Sequence, residues 1–121
     1  GFARKLARVE ADLDALNWSV LRILAGETNK YDTNAVVSAL KIRGSEMQQR
    51  VTGLQTDALA HQGARYFLRD EAHTEDAAMV KHWIELAIGP MSLFLFERAS
   101  TIYGGAREVQ KNIIAKIAFG F

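Results

Sequence analysis

The chemistry this chain can offer concentrates where it reads Tyr103-Gly104-Gly105-Ala106-Arg107-Glu108-Val109-Gln110. A glycine inside a helix costs roughly 1 kcal/mol against alanine, so a pair of them marks a deliberate break. With no Cβ at either position, backbone can come close to another body. The helix predicted to follow points its free N–H groups and the positive end of its dipole at the break. Such a place suits an electron-rich or anionic ligand group. The same residues also fit a plainer role in which Gly104 and Gly105 end one helix and begin the next. On residue types alone both readings stand.

Other candidates are weaker. His82 and Glu85 are three apart and could share a metal, but helical di-metal sites use two Glu-x-x-His pairs with further carboxylates. Here the order is reversed and there is no second copy, so no metal site is expected. His61, beside Gln62, reads as a helix-end residue, and His73 belongs to the acidic run 69–76, which reads as a solvated loop and helix start. Serines 19, 38, 45, 92 and 100 lack a Gly-x-Ser-x-Gly setting and triad partners. Dinucleotide and phosphate-loop glycine motifs are absent. Trp18 and Trp83 fall on helices and read as core or interface. Taken alone, the sequence holds no self-contained catalytic constellation.

The elements that must carry the glycine pair are helices. The chain has 121 residues, of which 49% are hydrophobic and 24% charged, a globular composition for one ordinary domain. A net charge of +1 provides no long-range field of one sign, so neither nucleic acid nor an anionic membrane is an expected partner. The absence of cysteine excludes disulfides, thiolate metal sites and a cysteine nucleophile, and fits a reducing compartment such as the cytoplasm. No apolar run approaches the ~20 residues that span a bilayer, and the charged, amphipathic start lacks a signal-peptide core. That start is already in helical register, from which a fragment of a longer chain is expected.

In the first segment Phe2, Leu6, Val9, Leu13, Leu16, Val20 and Leu24 recur every three or four residues, one stripe of a helix that Gly26 caps. Asp32 or Thr33 is the expected N-cap of a second helix. Its stripe is Val36, Leu40, Gly44, Met47, Val51 and Leu54, with close approach of a neighbouring helix expected at Gly44, and it should fade near Gly63. Ala77, Val80, Ile84 and Ile88 give a short third stripe that Gly89-Pro90 stops. Pro90 fits the first turn of the next helix, lined by Met91 and Leu95. After the glycine pair comes a last helix, with Val109, Ile113 and Ile117 as its core line and Ile114 beside it. The expectation is an all-α, up-down bundle of four main helices plus a short broken element, one domain over residues 1–121.

Against this background "TIYGGAREVQKNIIAK" resembles the C-terminal signature of flavin-dependent acyl-CoA dehydrogenases. "SALKIRGSEMQQRVTGL" is similar to the second helix of the same domain in a bacterial subgroup, and "LARVEADLDALNWSVLRIL" to the helix before it. The resemblance covers nearly the whole chain, in order. It implies the C-terminal helical domain of an enzyme that also has an N-terminal helical domain and a middle β-domain. FAD would lie between the middle and C-terminal domains, with contacts from a neighbouring subunit. The implied reaction removes the α-proton of an acyl-CoA thioester and passes a β-hydride to flavin, a step of fatty acid metabolism. Implied partners are the acyl-CoA substrate, an electron-transfer acceptor, and further copies or a heteromeric dehydrogenase partner.

Carried over residue by residue, the resemblance also shows departures. The family's glutamate base follows the tyrosine, and here that position is Gly104, so no catalytic residue is assigned. Gly104, Gly105, Ala106 and Glu108 occupy the cofactor-binding positions; Ala106 stands where a threonine hydroxyl usually helps hold the flavin, and Gln110 is a second polar position. The family's Gln-x-x-Gly-Gly segment, which touches FAD across the subunit interface, aligns with Asp57 and Ala60-His61. An anionic Asp57 would repel a pyrophosphate unless a cation such as Arg65 intervened. The reading is therefore part of an FAD-dependent acyl-CoA dehydrogenase, inactive as an isolated domain. The alternative is a non-catalytic helical scaffold subunit of a heteromeric dehydrogenase.

Overall fold

The computed structural model of the chain describes residues 1–27, 32–60 and 89–121, and among these residues every regular element is helical. Helix α1 spans Phe2–Leu24. It ends as the glycine spacing dictates: Ala25 closes the last turn and Gly26 turns left-handed at φ 75°. Helix α2 spans Thr33–Ala58, and the Asp32 carboxylate accepts a hydrogen bond of 2.8 Å from the Asn34 amide to cap it. Helix α3 is a single short run, Pro90–Phe96, with proline in its first turn and Gly89 before it at φ 101°. It tightens directly into a 3-10 helix, Glu97–Thr101. Helix α4 spans Arg107–Phe119 and closes on Gly120, again left-handed.

Helix α2 is the spine, for α1, α3, the 3-10 helix and α4 all pack against it. Its inner line is built of small residues. Ala35, Ser38, Ser45 and Thr52 are buried together with Met47. Two of the hydroxyls are satisfied within the helix itself: Ser45 Oγ donates to the Ile42 carbonyl at 2.9 Å and Thr52 Oγ1 to the Gln48 carbonyl at 3.0 Å. Burying them therefore leaves no orphaned donor, and their small volume lets the neighbouring segments lie close.

Three sequence expectations change here. The seven-residue stripe of α1 divides. Val9 and Leu16, with Asp12, Ser19 and Ile23, are half-buried, whereas Phe2, Leu6, Leu13, Val20 and Leu24 are exposed. In α4, Val109 and Ile117 are exposed, and Gln110, Ile113 and Ile114 form the half-buried line instead. At Gly44, no atom of the described residues lies within 4 Å of where a Cβ would sit, so none of the described helices approaches closely there. The stripe Ala77–Ile88, His61, His73, His82 with Glu85, Gly63, Arg65, Trp83 and the acidic run 69–76 lie outside the described residues. Among the described residues no helix is long and apolar enough to cross a membrane.

Candidate functional site

Tyr103–Ala106 forms the turn between the 3-10 helix and α4, and side chains of α2 fasten both ends of it. Upstream, Gln49 Nε2 donates to the Glu97 carbonyl at 3.0 Å, and Arg98 Nη2 returns a bond of 3.2 Å to the Gln49 carbonyl. Lys41 Nζ donates to the Ser100 carbonyl at 2.9 Å. Ser100 is only 1% exposed, and its hydroxyl donates to the Glu97 carbonyl at 2.8 Å. Downstream, the Arg107 guanidinium pairs with the Glu46 carboxylate, which Arg43 also reaches at 3.5 Å. The Arg98 guanidinium lies over the Phe94 ring, 4.3 Å from its centroid. Backbone carbonyls at both ends of the 3-10 helix, Glu97 and Ser100, thus become anchoring points of the turn.

Both glycines of the turn are left-handed, Gly104 at φ 69° and Gly105 at φ 98°, a region that L side chains rarely adopt. They differ in what surrounds them. A Cβ on Gly105 would overlap the Gln110 side-chain amide, which folds back over that backbone. A Cβ on Gly104 would meet only Lys41 Cε, at the ordinary contact distance of 3.8 Å. Gly104 is therefore demanded by conformation alone, Gly105 by conformation and space. Tyr103 sits half-exposed, its ring 6.4 Å from that of Phe96.

Ala106 caps α4 without any side-chain hydrogen bond. The amides of the first turn of α4 thus have neither an intrahelical acceptor nor a capping oxygen, and the helix dipole adds to their pull on an acceptor. Glu108 stands exposed in that turn. On the α2 side, a groove of about 340 Å³ runs between Gly104 and Gly44, walled by Lys41, Ser45, Gln48 and Tyr103. Chemically, the turn offers bare backbone, uncapped amides and an aromatic neighbour, and it carries no carboxylate at position 104.

The other predicted contact region is the end of α2. Asp57 is not a loose anion: Lys5 of α1 pairs with it at 2.7 Å. Among the described residues the cation that meets Asp57 is 52 positions upstream, a pairing that local spacing does not reveal; Arg65, named as a possible intervening cation, lies outside them. A cleft of about 570 Å³ opens beside this pair, lined by Arg8, Arg50, Leu54 and Phe94 among others. Ala60 has φ 48°, left-handed where the motif carries its first glycine. The backbone there takes a conformation that favours glycine although the residue is alanine. The turn at 103–106 and the end of α2 are described as two separate places, and the predicted residues Gly104, Gly105, Ala106 and Glu108 all fall at the first.

Comparison with known proteins agrees with the helical architecture. Residues 1–119 match the family model described as acyl-CoA dehydrogenase, C-terminal domain. Neither the curated proteins nor the solved structures gave a match.

Proposed function

We propose a role that starts from family membership: the chain belongs to the acyl-CoA dehydrogenase C-terminal domain family, and it acts as the helical domain that presents the 104–108 turn to FAD and an acyl-CoA thioester within a longer dehydrogenase. Residues 1–121 serve as a single bundle domain in this reading. The carrying observation is the left-handed glycine pair in front of an uncapped helix start. These residues fit a flavin: Gly104 leaves room for a flat ring, and the amides of Arg107 and Glu108 supply donors for its electron-rich edge. When bound, FAD supplies the acceptor for the hydride leaving the acyl β-carbon.

The chain's own part is positional. Gly104 lets the ligand lie against backbone, Gly105 makes way for the Gln110 side chain, Ala106 leaves the amides open, and Lys41, Gln49 and Arg107 keep the turn at a fixed place on α2. The α-proton is taken by a carboxylate outside residues 103–108, because position 104 is glycine. The isolated domain therefore shows no flavin reduction when FAD and acyl-CoA are added.

The test uses the full-length protein. Ala106→Thr restores the hydroxyl and is expected to tighten FAD binding about five-fold, the worth of one added hydrogen bond of ~1 kcal/mol. Gly105→Val is expected to abolish binding. Titration of the apoprotein with FAD, followed by flavin fluorescence, reads both. Unchanged affinity in the two variants would remove the turn from the cofactor site.

A second reading is favoured by one observation. The Lys5–Asp57 pair engages, inside one subunit, the position expected to reach FAD across the interface. Together with Gly104 this suits a scaffold subunit that supports a catalytic partner. Co-expression with an adjacent dehydrogenase subunit, then sizing and a flavin spectrum, separates the cases: flavin absent from this chain but present in the heteromer supports the scaffold.

A further inference from the structure

The bare turn has a charge underneath it. On α2 the positions 41, 44, 45 and 48 fall on one face of the helix, the face that meets the turn. Lys41 lies half-buried on that face. Its stem packs against Gly104, with Cε 3.8 Å from the place of the missing Cβ. Its Nζ donates to the Ser100 carbonyl at 2.9 Å. That acceptor is neutral, so the bond fixes where the ammonium stands without cancelling its charge. With glycine at 104, no side chain of that residue stands between the ammonium and a ligand on the turn.

The neighbouring charges do not undo it. From Arg98 to Arg107 the chain carries an arginine at each end and no acid. Arg98 donates to the carbonyls of Phe94 and Gln49, again neutral acceptors. Arg107 pairs with Glu46, but Arg43 reaches the same carboxylate, so a pair of guanidiniums shares one negative charge. Glu97 and Glu108 stand just outside this stretch, one beyond each end. The first-turn amides of α4 add the positive end of a helix dipole. Ammonium, guanidiniums and dipole act in one sense, and a half-buried charge is screened less than an exposed one.

We infer that Lys41 is the electrostatic tuning residue of this turn: its ammonium favours the more negative form of a ligand held against Gly104. For the flavin of the proposed function, on which this part rests, that form is the reduced ring. The oxidised ring is neutral, and it becomes an anion once a hydride, two electrons with one proton, has arrived. Lys41 therefore holds FAD more tightly in the reduced state than its charge-free variant would, and raises its midpoint potential. The effect follows the charge of residue 41 and not its hydrogen bond to Ser100.

Variants of the full-length protein separate charge from anchoring. Lys41→Gln keeps a donor and loses the charge, whereas Lys41→Arg keeps both. The quantity read is the ratio of FAD affinities in the reduced and oxidised states, from potentiometric titration at a pH where the reduced ring is ionised. Lys41→Gln is expected to lower that ratio about ten-fold, which is roughly 30 mV for a two-electron couple. Lys41→Arg is expected to stay within about two-fold of the parent. A Lys41→Gln ratio equal to the parent's, or an equal fall in Lys41→Arg, would overturn the inference. A second measurement needs no flavin. Tyr103→Cys places a thiol in the groove that Lys41 lines, and its thiolate is the form that an alkylating reagent attacks. Alkylation at position 103, followed by mass spectrometry at neutral pH, is expected to run about three-fold slower once Lys41→Gln is added. Equal rates sink the inference even if Lys41→Gln no longer holds FAD. If Gly105→Val leaves FAD binding intact while the thiol rates differ, the cofactor reading fails and the tuning charge stands.

Discussion

On one side of α2, the 3-10 helix and α4 are fastened by side chains that reach backbone carbonyls, at Gln49, Lys41 and Arg98. On the other side, α1 lies along the same helix with ion pairs that stand in solvent. The Lys5–Asp57 pair is 65% and 47% exposed, and Arg50–Asp12 is 44% exposed on both sides. The first interface contains Ser100, sealed from water, while α1 buries no residue at all. Bonds to buried carbonyls fix geometry, because losing one strands an acceptor. Exposed ion pairs contribute a fraction of a kcal/mol and tolerate rearrangement. Among the described residues, the chain thus places its more rigid joint at the turn at 103–106 and holds α1 to α2 by looser, solvent-exposed ties.

Substitutions on the two sides test this contrast. Ser100→Leu forces a large side chain into a sealed position and is expected to destabilise the fold by about 3 kcal/mol in urea titration, the upper range for overpacking. A stability unchanged within error would show that the joint is looser than the burial of Ser100 indicates. Gln49→Leu keeps the volume but removes one of the donors to the Glu97 carbonyl, which the Ser100 hydroxyl still reaches, for an expected loss of about 1 kcal/mol. On the α1 side the effects shrink. Ala60→Gly relieves a left-handed alanine worth ~1–2 kcal/mol, offset by added unfolded-state freedom, and should stabilise by about 0.5 kcal/mol. Asp12→Asn breaks the exposed pair with Arg50 and should shift the same midpoint by no more than a few tenths of a kcal/mol. A loss above 1 kcal/mol for Asp12→Asn would erase the distinction between the two sides.

How legible this was in the sequence varies from residue to residue. Caps were legible, because they are local chemistry. Asp32 bonds two residues on, Gly26 turns left-handed at a helix end, and Pro90 sits in a first turn, all within reach of their own neighbours. The glycine pair was legible for the same reason. The partner of each face was not, since periodicity says that a stripe is apolar without saying what covers it. The α1 stripe therefore read as a single core line although only Val9 and Leu16 of it turn inward. The small polar seam of Ser38, Ser45 and Thr52 gave no hydrophobic signal and escaped the pattern altogether. Long-range ties such as Lys5 to Asp57 or Arg107 to Glu46 depend on tertiary placement and have no counterpart in spacing.

One feature of the turn constrains anyone who would re-engineer it. Lys41 lies directly beneath Gly104, its Cε 3.8 Å from the missing Cβ. A glutamate grafted at 104 would therefore enter a left-handed backbone and find an ammonium waiting for it. Its carboxylate would be held as one half of a lattice of charge instead of standing free to accept a proton from carbon. Gly104→Glu alone should thus give a silent graft, and only the pairing of Gly104→Glu with Lys41→Met should release the new acid, a difference that carboxyl-carbon NMR titration of the two variants would display as two separate midpoints.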